Sequence, residues 1–143
     1  MFELRTDNLK FTAFIDGAAR GNPGPAGAGV WVAPRGADAA EEHFEALGHT
    51  TNNVAEYKAL LLALARAEAL GAQDVELFSD SLLLVRQVNG AYRVKADHLK
   101  PLVSEAVRRA KGFRTFSIAH VRREQNRNAD RLANRGADAS ERQ

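Results

Sequence analysis

The stretch Phe11-Thr12-Ala13-Phe14-Ile15-Asp16 decides the fold, because an apolar run rich in aromatic and branched residues that closes on a carboxylate is typical of a strand leading into a polar site. A second run of this form, Val75-Glu76-Leu77-Phe78-Ser79, closes on Asp80. A carboxylate at the end of a buried strand is costly to desolvate unless a positive charge, such as a metal ion, compensates it. The two runs therefore predict neighbouring central strands whose acids share one edge of a sheet.

The remaining pattern alternates between strands and helices. Five segments are expected to be strands, at 10–16, 27–33, 41–48, 75–79 and 114–121. Four segments are expected to be helices, at 53–70, 81–88, 98–111 and 125–139. This order predicts an α/β fold in which helices flank both faces of a mixed five-stranded sheet, with the first three strands forming an antiparallel meander. We expect helix 53–70 to be buried nearly all round and the tail 140–143 to be frayed.

Composition limits the class of protein. A chain of 143 residues with 45% hydrophobic content predicts one domain over 1–143, with its core at about 10–139. The lack of cysteine excludes disulfides, thiolate zinc sites and cysteine nucleophiles, and it is compatible with a cytoplasmic location, which we expect. The longest apolar run, 59–65, is too short to span a membrane.

Charge is distributed unevenly along the chain. Residues 1–85 contain 6 Lys/Arg and 12 Asp/Glu, whereas residues 86–135 contain 13 Lys/Arg and 4 Asp/Glu. The second segment therefore carries about +9, which favours a polyanionic partner such as nucleic acid. A solvated basic face is the alternative explanation.

Two further acids, Glu56 at the start of helix 53–70 and Asp130 within the last helix, are predicted to join Asp16 and Asp80. Four converging carboxylates suit phosphoryl transfer with two Mg²⁺ ions, since Mg²⁺ prefers oxygen ligands. Each acid also has a simpler reading: an Asp at a strand end can form a turn, and Glu56 can favour a helix N-terminus through the helix dipole.

Four sequence motifs occur in a fixed order: DGAARGNPGPAG at 16–27, TTNNVAEY at 50–57, FSDS at 78–81 and NRNADRLA at 126–133. Together they resemble type 1 ribonuclease H, over about residues 10–139. The resemblance implies the ribonuclease H-like fold, a monomer without an obligatory protein partner, and endonucleolytic cleavage of the RNA strand of RNA–DNA hybrids that leaves 5′-phosphate and 3′-hydroxyl ends. It also implies two Mg²⁺ or Mn²⁺ ions held by the four catalytic carboxylates, Asp16, Glu56, Asp80 and Asp130.

The alternatives are a catalytically silent nucleic-acid-binding domain of this fold and another nuclease of the same fold. An intact set of four carboxylates argues against the silent domain, because loss of catalysis would relax the need for a costly acidic cluster. The Thr-Asn-Asn and Gly-Asn-Pro-Gly segments favour ribonuclease H over a nuclease that cuts branched DNA.

The resemblance also implies substrate contacts. Residues matching Asn22, Asn52 and Asn53 lie along the minor groove of the hybrid, where polar groups sense the RNA 2′-hydroxyl, and Thr51 matches a contact to a DNA phosphate. The simpler readings are a hairpin connection at 21–25 and helix caps at the two adjacent asparagines.

The chain departs from familiar family members in the loop before the last carboxylate. Residues 122–129 contain no histidine, although familiar bacterial members carry a mobile one there. His120 lies within the predicted fifth strand and is interpreted as structural. Arg123 or Glu124 is the candidate to take the role of the missing histidine.

A second departure is the short connection at 90–97, which leaves no room for a long basic handle. Substrate affinity is therefore assigned to a basic cluster that combines Arg93 and Lys95 with Arg86, Lys100 and the aromatic ring of Tyr92. Leu82 stands where a polar substrate contact is common.

The remaining aromatic and acidic residues are assigned structural places. Four aromatic residues are predicted to be core: Phe14, Trp31, Phe113 and Phe116. Asp97 and Asp138 are predicted to be surface acids.

Overall fold

The computed structural model describes residues 10–143. Its five strands are β1 (Lys10–Ala19), β2 (Gly24–Val32), β3 (Glu41–Thr50), β4 (Asp74–Ser79) and β5 (Thr115–His120). Its four α-helices are α1 (Asn52–Ala69), α2 (Leu82–Val88), α3 (Lys100–Ala110) and α4 (Arg127–Glu141). Short 3₁₀ turns precede α3 at Asp97–Leu99 and α4 at Arg123–Gln125.

The strands form one mixed sheet in the order β3-β2-β1-β4-β5. The first three strands pair antiparallel, whereas β1, β4 and β5 are parallel. The predicted five-stranded sheet and its opening meander are therefore confirmed. Ile15 of β1 pairs with Ser79 of β4, so Asp16 and Asp80 follow matched positions on adjacent central strands.

Helices cover the two faces of the sheet unequally. On one face α1 packs on β1 and β2, and residues such as Ile15, Leu60 and Leu77 belong to one buried cluster. On the other face α4 packs across β1, β2 and β3. A side chain at Gly29 of β2 would place its Cβ 2.4 Å from the backbone nitrogen of Ala133, so glycine is what allows α4 to lie this close to the sheet.

Two predicted boundaries and one predicted burial pattern are wrong, each for a physical reason. β1 continues to Ala19 because it pairs with β2 beyond the end of β4, and Asp16 therefore lies inside a strand. α1 exposes Lys58 and Glu68, so it is buried along one face and not nearly all round. α4 continues to Glu141, because the buried Ser140 hydroxyl donates to the backbone oxygen of Ala26 at 2.6 Å.

The predicted core position of Phe14 and Trp31 is also wrong. Both are half-buried, and Phe14 stacks on Phe78 at 4.9 Å and meets Trp31 edge-on at 6.0 Å. These three rings lie on the sheet face opposite Ile15, because side chains alternate along a strand. Phe113 and Phe116, which were also assigned to the core, are partly buried and pack against it.

Within residues 10–143, no helix has the length and apolar character needed to cross a membrane.

Candidate active site

Three of the four predicted acids meet at the carboxyl end of the parallel strands. Asp16 lies in β1, Asp80 directly follows β4, and Glu56 reaches in from α1. Each residue offers a carboxylate oxygen, and these atoms all lie within 4.8 Å of one another. Asp16 and Glu56 are buried and Asp80 is half-buried, so the cluster opens toward solvent on one side.

Asp130 approaches this cluster from the opposite face of the sheet. It lies in the first turn of α4, is exposed, and its carboxylate comes within hydrogen-bonding reach of Asp16. All four predicted acids are therefore brought together, with Asp16 at the point where the contributions of α1 and α4 meet.

The position of Glu56 is set by a backbone contact. Glu56 lies in the second turn of α1 and its Oε1 accepts a hydrogen bond from the Gly17 N–H at 3.0 Å. The alternative in which Glu56 serves the helix N-terminus is therefore wrong. The N-cap is Thr51, whose hydroxyl oxygen accepts from the Val54 N–H at 3.2 Å.

Hydrogen bonds from two serines shape the turn that carries Asp80. The buried Ser79 hydroxyl accepts from the Ser81 N–H at 3.0 Å, and Ser81 caps α2 by accepting from the Leu84 N–H at 3.2 Å. Because both ends of the turn are fixed, Asp80 is held at the mouth of the cluster.

Asn126 is a supporting residue that the sequence analysis missed. Its side chain is buried, and Nδ2 donates to the Ile15 carbonyl at 2.9 Å and to Asp80 Oδ2 at 3.4 Å. It therefore links the start of α4 to both acid-bearing strands. Its place at the head of the 126–133 motif was the available signal.

Burial and mutual repulsion raise the pKa values of the buried acids. Desolvation, followed by the charges of Glu56 and Asp80, raises the pKa of Asp16 to about 9. Desolvation, followed by the charge of Asp80, raises the pKa of Glu56 to about 8, and this rise is opposed by the Gly17 N–H and by the charge of Arg123. The protein part of the site therefore lacks sufficient positive charge to hold these acids ionised.

A bound divalent cation would supply the missing positive charge. The donor set consists of carboxylate oxygens, which Mg²⁺ and Mn²⁺ accept, and a bound cation would restore the ionised form of the acids. A cluster that opens on one side also leaves room for a phosphate oxygen of a substrate.

The raised pKa values predict how the stability of the metal-free protein depends on pH. A buried acid with a raised pKa keeps its proton in the native state, so stability declines as pH rises from about 4 toward the folded-state pKa. Asp16→Asn removes the titrating group that causes this decline in stability. We therefore expect the variant to melt on the order of 5 °C higher than the native chain in EDTA at pH 8, and to lose that advantage at pH 4.5.

Thermal unfolding followed by circular dichroism measures this difference, with Asp97→Asn as a matched control. Asp97 is 92% exposed and paired with Lys100, so its replacement is expected to leave the pH dependence unchanged. Equal melting temperatures for the native chain and Asp16→Asn at pH 8 would contradict the proposed burial cost.

Comparison with known proteins places this geometry in a family. Residues 14–136 match a family described as "Reverse transcriptase-like". A bifunctional protein of Mycobacterium tuberculosis is 42% identical over 134 residues, which are 92% of this chain and 36% of the relative. Ribonuclease HI of Halobacterium salinarum is 42% identical over 127 residues, which are 88% of this chain and 63% of the relative. The chain thus spans between about a third and two thirds of these relatives.

A solved structure decides the family. The crystal structure of LC11-RNase H1 in complex with RNA/DNA hybrid superposes with a TM-score of 0.83 at 37% identity, covering 91% of this chain and 98% of that chain. The chain belongs to the type 1 ribonuclease H family. The ribonuclease H-like fold predicted from the four motifs is therefore confirmed.

Asn22 and Asn52, two of the residues predicted to contact the minor groove, are linked to each other and to β1 by hydrogen bonds. Asn22 Oδ1 accepts from the Asn52 N–H at 3.0 Å, and Asn52 Oδ1 accepts from the Ala19 N–H at 3.2 Å. In this arrangement the acceptor oxygen of each amide is engaged by the backbone. Both side chains are exposed, so their Nδ2 groups remain oriented by these contacts to donate to a ligand.

Thr51 and Asn53, the other two residues predicted to contact substrate at this end of α1, have different structural roles. Thr51 is the helix cap, and its hydroxyl proton is still available to donate. Asn52 and Asn53 lie inside α1, after the Thr51 cap, so the cap reading is wrong for both asparagines. Asn53 is exposed.

Asn53 instead borders an open groove of about 470 Å³. Arg93, Lys95 and Tyr92 line the same groove, and buried Gln87 forms part of its floor. The two basic residues predicted to bind substrate are therefore brought together with Asn53. Asn53 places one edge of this groove at the N-terminal end of α1.

Arg86 and Lys100, the other basic residues of the predicted cluster, make different contacts. The Arg86 guanidinium lies 5.3 Å from the centre of the Tyr92 ring and donates to the Tyr92 hydroxyl at 3.3 Å. Lys100 instead pairs with Asp97 at 2.9 Å. Leu82 is 41% exposed at the start of α2, so the structure places an apolar side chain on the surface at the position where a polar substrate contact was expected.

The loop without histidine presents a cation to the site. Arg123 is exposed in the 3₁₀ turn before α4, and its charge acts on Glu56. His120 is exposed at the end of β5 and is paired in the sheet with Ser79, so its interpretation as a structural residue has no support from burial. Glu124 is also exposed.

Proposed function

We propose that this chain is an endoribonuclease that hydrolyses the RNA strand of RNA–DNA hybrids and leaves 5′-phosphate and 3′-hydroxyl ends. The observation that carries the proposal is the convergence of Asp16, Glu56 and Asp80 within 4.8 Å, with Asp130 beside Asp16, in a chain of the ribonuclease H family. A relative of 37% identity is in complex with an RNA/DNA hybrid, which supports the substrate class.

The cofactor proposed is a pair of Mg²⁺ ions, with Mn²⁺ as a substitute. Bound divalent ions of this kind supply a water of lowered pKa and neutralise the charge that develops on phosphate oxygens. Asp16 is central in the cluster and is proposed to contact both ions, with Glu56 and Asp80 at one and Asp130 at the other. The metal-free burial cost of Asp16 and Glu56 supports this arrangement, because it gives the site an affinity for cations.

The chain's own residues are proposed to orient the hybrid. Asn22 and Asn52 donate from fixed amides toward the minor groove, where the RNA 2′-hydroxyl is an acceptor. Arg93 and Lys95 border the 470 Å³ groove and attract a phosphate backbone, while Tyr92 offers a stacking surface.

Residues 1–143 are proposed to form one domain that acts as a monomer in the cytoplasm. The lack of cysteine is compatible with that compartment.

A panel of four end-labelled nucleic acids tests the substrate. We expect cutting of the RNA in an RNA–DNA hybrid, and no cutting of double-stranded RNA, double-stranded DNA or branched DNA. Binding of the hybrid without cutting would instead favour the silent domain. Cutting of branched DNA would favour another nuclease of this fold.

Arg123→Ala is expected to lower turnover about 10-fold, because it removes the cation that acts on Glu56 from the loop. Single-turnover and steady-state rates on the hybrid measure this effect. His120→Ala and Glu124→Ala are the matched controls and are expected to retain near-native turnover. Loss of turnover in His120→Ala alone would contradict the role given to Arg123.

A further inference from the structure

A polar chain connects the two elements that carry the two halves of the site. Asn134, one turn after Asp130 on α4, donates from Nδ2 to the Asp130 backbone oxygen at 2.9 Å and to the Asp130 carboxylate at 3.3 Å. Arg20, in the turn that follows β1, donates from Nη2 to the Asn134 backbone oxygen at 3.2 Å and to Asn134 Oδ1 at 3.4 Å. The chain of contacts therefore runs from the end of the Asp16 strand to Asp130.

The far end of this chain fixes Arg20. Its Nη1 is paired with Asp138 and with Glu141, the latter at 2.9 Å, and its backbone N–H donates to the Pro25 carbonyl at 2.8 Å. The Arg20 side chain is 33% exposed and the side chains of its two acidic partners are about half exposed. Exposed ion pairs of this kind contribute little to stability, so their main physical effect is to set the direction of the Arg20 side chain.

Asp130 is the acid that most needs such support. Asp16 and Glu56 are held by burial, whereas Asp130 is exposed on a helix surface and free to rotate unless a neighbour fixes it. Asn134 engages one carboxylate oxygen, and Arg20 holds the Asn134 amide with its oxygen directed away from Asp130. The Asn134 Nδ2 group is thereby kept facing Asp130, since Arg20 can only donate.

We infer that Asn134, and Arg20 acting through it, are positioning residues that hold the Asp130 carboxylate toward Asp16 and so set the affinity of the site for its divalent cation. The inference rests on the proposed function. Mutation of a hydrogen-bond partner of a metal-ligating carboxylate commonly lowers metal affinity by about 10- to 100-fold.

Replacement of Asn134 is expected to weaken cation binding more than replacement of Arg20. Asn134→Ala is expected to raise the half-saturating Mg²⁺ concentration for hybrid cleavage about 10-fold, with the KM for hybrid unchanged. Arg20→Met is expected to raise it about 3-fold. The double variant is expected to match Asn134→Ala, because Arg20 acts only through the asparagine.

Binding of Mn²⁺ to the metal-free full chain, followed by the electron paramagnetic resonance signal of free Mn²⁺, provides a readout that does not depend on cleavage. The same order of weakening is expected there. Arg131→Met is the matched control, since it also removes an arginine of an α4 ion pair, with Glu42. It is expected to leave Mn²⁺ affinity within about 2-fold and the melting temperature similar to that of Arg20→Met.

Unchanged Mn²⁺ affinity in Asn134→Ala would overturn the inference, as would a double variant whose effect is the product of the two single ones. Asn134→Gln, which retains the amide on a longer stem, is expected to recover part of the lost affinity if it folds with native stability; recovery by Asn134→Leu instead would overturn the role of the amide. If the native chain binds Mn²⁺ but cuts no hybrid, the proposed function fails while the Mn²⁺ comparison still decides the role of Asn134.

Discussion

Asp16→Asn is expected to lower hybrid cleavage on the order of 1,000-fold or more, with either Mg²⁺ or Mn²⁺. Asp16 is the most central of the four acids, since Glu56, Asp80 and Asp130 all act on its carboxylate. Asparagine keeps the shape of the side chain but removes the charge that attracts a divalent cation. Asp80→Asn is expected to have the same effect, because it removes the negative charge of one of the three carboxylates whose oxygens lie within 4.8 Å of one another.

Hybrid binding separates this loss from a loss of fold. In EDTA, both variants are expected to bind hybrid at least as well as the native chain, because each removes a negative charge that repels phosphate. Fluorescence anisotropy measures binding, and end-labelled cleavage measures rate. Asp97→Asn is the control for the loss of a carboxylate at an exposed site. Near-native cleavage by Asp16→Asn with both metals would contradict the two-ion assignment.

Gly17→Ala is expected to destabilise the protein by about 3 kcal/mol and to lower its melting temperature by roughly 10 °C. A Cβ at this position would lie 2.3 Å from the carbonyl carbon of Ala55 and 2.4 Å from the backbone nitrogen of Glu56. Both atoms belong to the backbone of α1, so the helix itself must move away from β1. The same movement would strain the hydrogen bond that the Gly17 N–H donates to Glu56.

Because this movement carries Glu56 with it, cleavage is expected to decrease about 100-fold even below the melting transition. Thermal unfolding and cleavage at 20 °C below the variant's own melting temperature measure the two effects separately. Gly112→Ala is the control, since its Cβ would meet a single backbone atom, the Arg109 oxygen, at 3.2 Å. Native stability in Gly17→Ala would show that the separation between α1 and β1 is not fixed as described.

The strands and the convergence of the acids could be predicted because their signals are local. An apolar run that closes on Asp16 and another that closes on Asp80 each define a strand without knowledge of its partner. Parallel pairing of Ile15 with Ser79 then brings the two acids to one edge. The order of the four motifs identified Glu56 and Asp130 as further members of the site. Their approach to Asp16 depends on where α1 and α4 pack, which no single segment of sequence specifies.

The errors arose where the outcome depends on a distant partner. β1 continues beyond Asp16 because β2 supplies hydrogen-bond partners for that extension, from Gly17 opposite Ala28 to Ala19 opposite Ala26. Ser140 extends α4 because its hydroxyl also accepts from the Gly48 N–H at 2.9 Å. No periodicity within either segment reports such a contact.

Polar supporting contacts were beyond prediction for the same reason. Asn126 begins the motif that contains Asp130 and Asn134 directly follows it, but Asn126 contacts a residue 111 positions away and Asn134 one 114 positions away. The half-burial of Phe14 and Trp31 depends on how far α4 covers the sheet, which strand alternation does not specify.

Cleavage of an RNA–DNA hybrid labelled on the RNA strand, by the native chain and by Asp80→Asn, in Mg²⁺ and in EDTA, tests the central claim most directly. We expect the native chain to cut the RNA at internal positions in Mg²⁺, leaving 5′-phosphate and 3′-hydroxyl ends, and we expect no cutting in EDTA or by Asp80→Asn in either condition. Equal cutting by the native chain in Mg²⁺ and in EDTA, or by Asp80→Asn and the native chain, would contradict catalysis by a cation held at these four carboxylates.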